Sequence, residues 1–402
     1  MNAKQRFLFL QGVCSPFFPA LAKALRQQGM RVRKVNFSVG DRIYWRQGDA
    51  TSYRGPMHDL PGFYHAEFET HGITDVVLFG DCRPVHRSAI ELAKQSGIRV
   101  HVFEEGYFRP YWVTLERGGV NGNSALPRDP DYYRKRAKEV PNYDNGTSFV
   151  SPFWKRAAYD VGYNFWAGLN PLLHRGVKSH VPYTPATEYA GYVKKGISTQ
   201  VNRRRAKAIQ TMVTLDTQPV QYFLFPLQLT TDSQISHHSD FDSMSQALEK
   251  VMRSFARHAP EQAVLLMKAH PLDPGLVNYS RIIRRLSKEL MLGKRVIYMD
   301  GGHLPSLINR TTGVITVNST VGASALLHGK PTKTLGRAIY DMPGLTDQKT
   351  LAEFWSHQDK PDLQLFRTFR NVVIHDTQIN GGFYCSSGIR LSVKNSLSKL
   401  LL

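Results

Sequence analysis

Residues 99–106 read RVHVFEEG: an apolar stretch from Val100 to Phe103 runs straight into two adjacent carboxylates, Glu104 and Glu105, and a glycine. A strand that ends on two acids is leaving the core, and its neighbours indicate where it goes. RFLFLQG (6–12) is a short apolar strand closing on Gly12, and FFPALAKALRQQG (17–29) follows with helical periodicity. RVRKVNF (31–37) and TDVVLFGD (74–81) are further strands, and HRSAIELAKQSG (86–97) is a helix. Repeated strand–helix units predict a parallel sheet with helices on both faces. Such sheets bind ligands outside the carboxyl ends of their strands. Gly12, Asn36, Asp81 and Glu104/Glu105 fall at those ends, so the acids are expected to face a cleft.

The alternation breaks between about 125 and 200, where basic and aromatic segments such as PRDPDYYRKRAKEVPNY suggest helices and loops. It restarts with VQYFLFPLQ (220–228), the amphipathic FDSMSQALEKVMRSFARHA (241–259), QAVLLMKAHP (262–271), RVIYMDG (295–301), GVITVNSTVGASALLHG (313–329) and KPTKTLG (330–336). A chain of 402 residues is too long for one ordinary core. The expected fold is therefore α/β, two Rossmann-like lobes joined by a helical bridge, with an interlobe cleft. The first lobe with its bridge is expected over 1–200 and the second over 201–360, with 361–402 packing back on the first.

Lys and Arg number 52 against 32 Asp and Glu, a formal net charge of +20 that calls for an anionic partner. The three cysteines, Cys14, Cys82 and Cys385, show neither metal-ligand spacing nor a disulfide framework, which suits a reducing compartment. The opening apolar run stops at Gln11-Gly12, too short for a signal peptide, and no stretch is long enough to cross a bilayer. No HExxH or CxxC pattern appears, so no tightly bound metal is indicated.

Four constellations carry candidate chemistry. Glu104-Glu105-Gly106, with Arg109 close behind, offers a general acid or base, while one of the two Glu can equally pair with Arg109. FPLQLTTDSQISHHS (225–239) projects Gln228, Asp232 and Gln234; by spacing alone, capping a turn or helix is the commoner role of such an Asp. KAHPLD (268–273) puts Lys268, His270 and Pro271 at a strand end, where a His beside a Lys suits a phosphate and can equally be a capped core histidine. Asn318, Ser319 and Thr320 form a strand–turn–helix corner whose N–H groups and hydroxyls can take a phosphate or merely cap the helix. Asp81, Arg83 and His86, with Asn36 and Gly12, add polar groups to the first rim.

Taken together, LQGVCSPFF, NFSVGD, FGDCRPVH, EEGYFRPYWVTLE, FPLQLTTDSQISHHS, KAHPLD and TVNSTVGASALLHGKPTKTLG resemble the KpsS/LipB family of capsule polysaccharide proteins, in the same order from the first strand to about residue 390. The resemblance implies a retaining β-Kdo transferase of GT-B-type architecture. It would use CMP-Kdo, with no further cofactor, to place the first Kdo of a capsule linker on lyso-phosphatidylglycerol at the cytoplasmic face of the inner membrane. KpsC and other capsule assembly proteins would be its partners. Gln228 and Asp232 fit a Gln-x-x-x-Asp setting of related transferases, implying Asp232 as nucleophile and Glu104 or Glu105 as acid/base. Lys268, His270, Ser319 and Thr320 would then hold the CMP phosphate. Basic candidates for the anionic membrane surface are Arg134, Lys135, Arg136 and Lys138, Arg203 to Arg205, and Arg281, Arg284 and Arg285. Transfer of another CMP-sugar and a non-catalytic export or scaffold role are the competing readings. Nucleic-acid binding lacks a reader motif.

Overall fold

A computed structural model of the chain describes residues 5–143, 145–170, 183–214, 220–230 and 232–402; residues 171–182 of the expected bridge lie outside that set. The chain divides into two α/β units. One comprises Met1–Ala125, Pro141–His180 and Val373–Leu402, the other Leu126–Val140 and Val181–Val372.

The first unit is built on β1 (Arg6–Phe9), β2 (Arg31–Asn36), β3 (Ala50–Ser52), β4 (Asp75–Phe79), β5 (Arg99–Glu105), β6 (Trp112–Arg117) and β12 (Gln378–Asn380), in the order β12-β6-β5-β4-β1-β2-β3. Side chains alternate across it. Phe7, Phe9, Val77 and Phe103 pack with helices Phe17–Gln27 and Ser386–Leu400. Leu8, Val76, Leu78 and Val102 pack with helices Leu60–His71 and Pro84–Gln95. β4 is buried along its whole length, as a parallel strand covered on both faces must be.

The second unit carries β7 (Tyr222–Pro226), β8 (Val264–Lys268), β9 (Val296–Met299), β10 (Gly313–Thr316) and β11 (Thr332–Thr334), all parallel, in the order β11-β10-β7-β8-β9. Helix Met244–His258 shows why these residues fold as they do. Ser243 accepts a hydrogen bond from the Gln246 N–H at its start, and Met244, Ala247, Leu248, Val251, Met252 and Phe255 form its buried stripe. Each large apolar side chain so buried contributes about 1.5–3 kcal/mol.

The two Rossmann-like α/β units expected from the sequence are present. The first sheet departs from the expected parallel pattern, because β6 near one edge runs antiparallel to both of its neighbours, β5 and β12. β6 follows β5 after only residues 106–111, too short a link for a crossover, so it folds back as a hairpin. The division of the chain also differs from the expected one. Helix Pro185–Val201 groups with the second unit, where Lys195 Nζ lies 2.6 Å from Asp300 Oδ1. The return to the first unit falls at 373, inside helix Leu363–Thr377, whose Phe369 packs on Tyr133 of the second. Among the described residues no helix is long and apolar enough to cross a membrane.

Candidate active site

In the first sheet the strand order turns at β1, with β2 on one side and β4 on the other. Such a switch point opens a crevice at the carboxyl ends of the strands, and the polar side chains of this unit gather there. Arg83 donates to Gln11 Oε1 at 3.0 Å and to the Gly12 carbonyl at 3.1 Å. Asp41 accepts from the Phe37 N–H at 3.0 Å and from the Tyr163 hydroxyl at 3.0 Å. Lys34, buried, donates to the carbonyls of Leu10 and Val35, and burial lowers its amine to about 8. Burial pushes the nearby Cys14 thiol up to about 12, which removes it as a nucleophile at neutral pH. Asn36 is buried at the end of β2, and its amide oxygen has no hydrogen-bond partner among the described residues.

The paired acids part company here. Glu105 accepts from the Tyr384 hydroxyl at 3.2 Å and faces Arg156 at 3.5 Å. Its cation is therefore Arg156, not the Arg109 considered from the sequence; the Arg109 Nε donates to the Gly106 carbonyl instead. Glu104 is pushed up to about 7, mainly by burial, and the charges of Glu105 and Asp81 add to the rise. The Glu105 N–H bond to Glu104 Oε1 and the charge of Arg83 oppose it without cancelling it. Glu104 is thus a carboxyl poised to exchange a proton near neutrality.

Other residues singled out on this rim hold its loops. Asp81 accepts from the Val120 N–H and from Asn123 Nδ2. His86 Nδ1 lies 2.6 Å from the Gly80 carbonyl. Gly12 lies so close to the Phe18 ring that a Cβ would come within 2.6 Å of it. Gly106 is required by a backbone approach, since a Cβ there would meet the Trp112 carbonyl oxygen at 1.9 Å.

In the second unit the central strand β7 is stitched to both neighbours at its carboxyl end. Gln228, buried, donates to Asp232 Oδ2 at 3.1 Å and to Asn318 Oδ1 at 3.0 Å. Asn318 donates in turn to the carbonyls of Gln234 and His238. Asp232 caps the short helix Ser233–His238 through the Gln234 N–H, so Gln234 joins through its backbone. On the β8 side, Thr230 donates to Asp273. His270 Nδ1 accepts from the Leu272 N–H at 3.1 Å, so the neutral ring carries its proton on Nε2. Lys268 is buried near Lys195 and Asp300, and burial lowers its amine. Pro271 is exposed beside His270. Ser319 caps helix Thr320–Leu327 through the Val321 N–H. Gln228, Asp232, His270, Asn318, Ser319 and Thr320 thus share one edge of this sheet.

The basic runs behave unequally. Arg134 pairs with Asp131 and Arg136 with Glu139, each at 2.8 Å, so that cluster is partly neutralised internally. Sequence reasoning passed over Gln11, Lys34, Arg156, Tyr163 and Tyr384. Arg156 and Tyr163 sit on helix Phe153–Ala167, a segment read from the sequence as bridge, with its tyrosines and tryptophans expected at a membrane interface, and nothing in their local pattern marks their partners within the fold.

Two α/β units, each with polar residues gathered at the carboxyl ends of its parallel strands, define a Rossmann-like class of fold whose ligands bind at those ends. The chain belongs to the capsule polysaccharide biosynthesis protein family, whose model matches residues 74–384. It is 37% identical over 386 residues to the capsule polysaccharide export protein KpsS of Escherichia coli, covering 94% of this chain and 97% of that protein. It is 36% identical over 393 residues to the capsule polysaccharide modification protein LipB of Neisseria meningitidis serogroup B, covering 96% and 93%. Among solved structures, the β-Kdo 2,7 transferase of Thermosulfurimonas dismutans KpsC aligns over 99% of both chains with 12% identity and a TM-score of 0.48, too distant to transfer any site residue.

Proposed function

We propose that the chain is a retaining glycosyltransferase that moves Kdo from CMP-Kdo to lyso-phosphatidylglycerol at a membrane surface, working beside other capsule assembly proteins such as KpsC. The observation that carries the reading is Glu104, whose carboxyl, held up to about 7 beside a Glu105 engaged by Tyr384 and Arg156, suits it to take a proton from an acceptor hydroxyl.

Retention by double displacement needs a second carboxylate. Asp232 is the proposed nucleophile, oriented by Gln228 Nε2 and the Gln234 N–H. It attacks the anomeric carbon as the bond to phosphate breaks and CMP leaves with the electron pair. The acceptor oxygen then displaces Asp232, and its proton passes to Glu104. His270, with its proton on Nε2, would donate to a phosphate oxygen of the donor. The unsatisfied oxygen of Asn36 would accept from a substrate hydroxyl. A membrane-surface location is supported by the apolar side chains that helix Phe153–Ala167 leaves in the open, among them Trp154 and Phe165, 66% and 72% exposed.

Incubating the purified chain with CMP-Kdo and lyso-phosphatidylglycerol should release CMP and add the mass of one Kdo to the lipid. His270→Ala should abolish that transfer while the protein stays folded. Absence of transfer with the unmodified chain would leave the export role that its Escherichia coli relative is named for. Transfer of only a different sugar from its CMP donor would correct the substrate.

A further inference from the structure

Two basic runs far apart in sequence converge on one groove of the second unit. The groove encloses about 750 Å³ along β9, the outer strand of the sheet, between helices Arg203–Thr214 and Tyr279–Glu289. Arg205 comes from the first helix, Arg284 and Lys288 from the second, and all three are exposed within its lining. None of them forms an ion pair among the described residues. The acid in the lining, Asp300, is already engaged, by Lys195 at 2.6 Å and by the Tyr298 hydroxyl at 3.0 Å. Three cations therefore face a recess in which no carboxylate among the described residues pairs with them.

We propose that this groove binds an anionic saccharide, a short glycan bearing carboxylate or phosphate groups. Guanidinium groups match such oxyanions with paired donors, and Lys288 adds a point charge. Between the cations, the Ser280 and Ser287 hydroxyls and the Asn202 amide offer the hydrogen bonds that sugar hydroxyls exchange. The volume falls in the range of small-ligand sites, about 300–1,000 Å³. A bilayer presents a broad surface, and a recess between two helices excludes it. The inference rests on the saccharide-handling reading of the chain and is independent of the transfer step.

The test is equilibrium binding of fluorescent oligosialic acid at two salt concentrations, with a neutral malto-oligosaccharide, inorganic phosphate and anionic vesicles as the other arms. The triple variant Arg205→Gln/Arg284→Gln/Lys288→Gln is compared with Arg203→Gln/Arg204→Gln/Arg285→Gln, which removes equal charge from the same helices outside the groove. Thermal melts establish that both variants fold. The expected result is at least about tenfold weaker oligosialic acid binding in the groove variant, less than about twofold in the control, and no binding of the neutral glycan. Displacement of the glycan by inorganic phosphate marks a site that reads phosphate as well as carboxylate, within the proposal. Equal losses in both variants would reduce the groove to part of a general charge, and loss confined to vesicles would reassign it to lipid; either overturns the proposal, as does failure of the unmodified chain to bind the glycan. CMP-Kdo turnover is read separately. Loss of transfer with glycan binding intact counts against the proposed reaction alone, and the reverse counts against the groove alone.

Discussion

Glu104 carries the sharpest consequence at the scale of a single residue. Its carboxyl rises from 4.5 to about 7 on folding, chiefly through burial. Between those values the folded chain holds a proton that the unfolded chain has released, so stability falls as pH rises through that window and stays reduced above it. Glu104→Gln keeps an acceptor for the Glu105 N–H but can never be charged. It should therefore be more stable than the unmodified chain at pH 8, by about 1–2 kcal/mol after allowing for solvent screening, and no different near pH 4. Acceptor transfer should be lost in the same variant, while the unmodified enzyme gains activity as pH rises through about 7. Denaturant titrations at the two pH values check this; equal destabilisation at both would show that the carboxyl is not strained by burial. The sequence displayed both acids at a strand mouth but could not separate them. Arg156 and Tyr384, which claim Glu105, come from distant segments whose local patterns say only helix and loop.

Among the elements, the β5–β6 hairpin and the amino end of β4 do different work. Gly106 lets the hairpin close, and a methyl group there would strike the Trp112 carbonyl oxygen. Gly106→Ala should cost about 1–3 kcal/mol as overpacking and lower acceptor transfer. CMP binding, proposed for the second unit, should persist; a variant as stable as the unmodified chain would show that the hairpin relaxes freely. At the other end of the sheet, Asp75 is fully buried and holds His101 at 2.7 Å and Arg99 at 2.8 Å. Burial opposes its ionisation, yet the hydrogen bonds from His101, Arg99 and Thr74 prevail and hold it below the usual carboxylate range. Asp75→Asn should cost about 3–5 kcal/mol at pH 7, and that penalty should fade as pH drops through the lowered value. An unchanged denaturation midpoint would mean that the triad is dispensable. The regular strands and helices were legible because apolar spacing dictates them. β12 was not, since QIN is too short to carry a period and pairs with β6 from more than two hundred residues away.

For the molecule as a whole, a charge of +20 and an apolar helix face act over different distances. Helix Phe153–Ala167 has two sides. Its inner side holds the site, with Arg156 on Glu105, the Tyr159 carbonyl accepting from Tyr44, and Tyr163 on Asp41. Its outer side exposes Trp154, Val161 and Phe165. A helix that supports the candidate acid/base rim from within and offers aromatics outward would hold that rim beside a lipid surface. The net charge draws the chain to anionic lipid but is screened beyond about 8 Å at physiological salt, whereas burial of aromatic side chains is not. Trp154→Ser/Phe165→Ser should therefore still float with anionic vesicles at low salt, through charge alone. At high salt it should detach at least about tenfold more readily than the unmodified chain, since each buried aromatic contributes roughly 1.5–3 kcal/mol. Transfer to membrane-borne lyso-phosphatidylglycerol should fall in step, and transfer to a soluble, short-chain acceptor should not. Flotation equal to that of the unmodified chain at both salts would show that this face is not the anchor. Equal loss of transfer to both acceptors would place the damage in the site that the inner side of the helix supports.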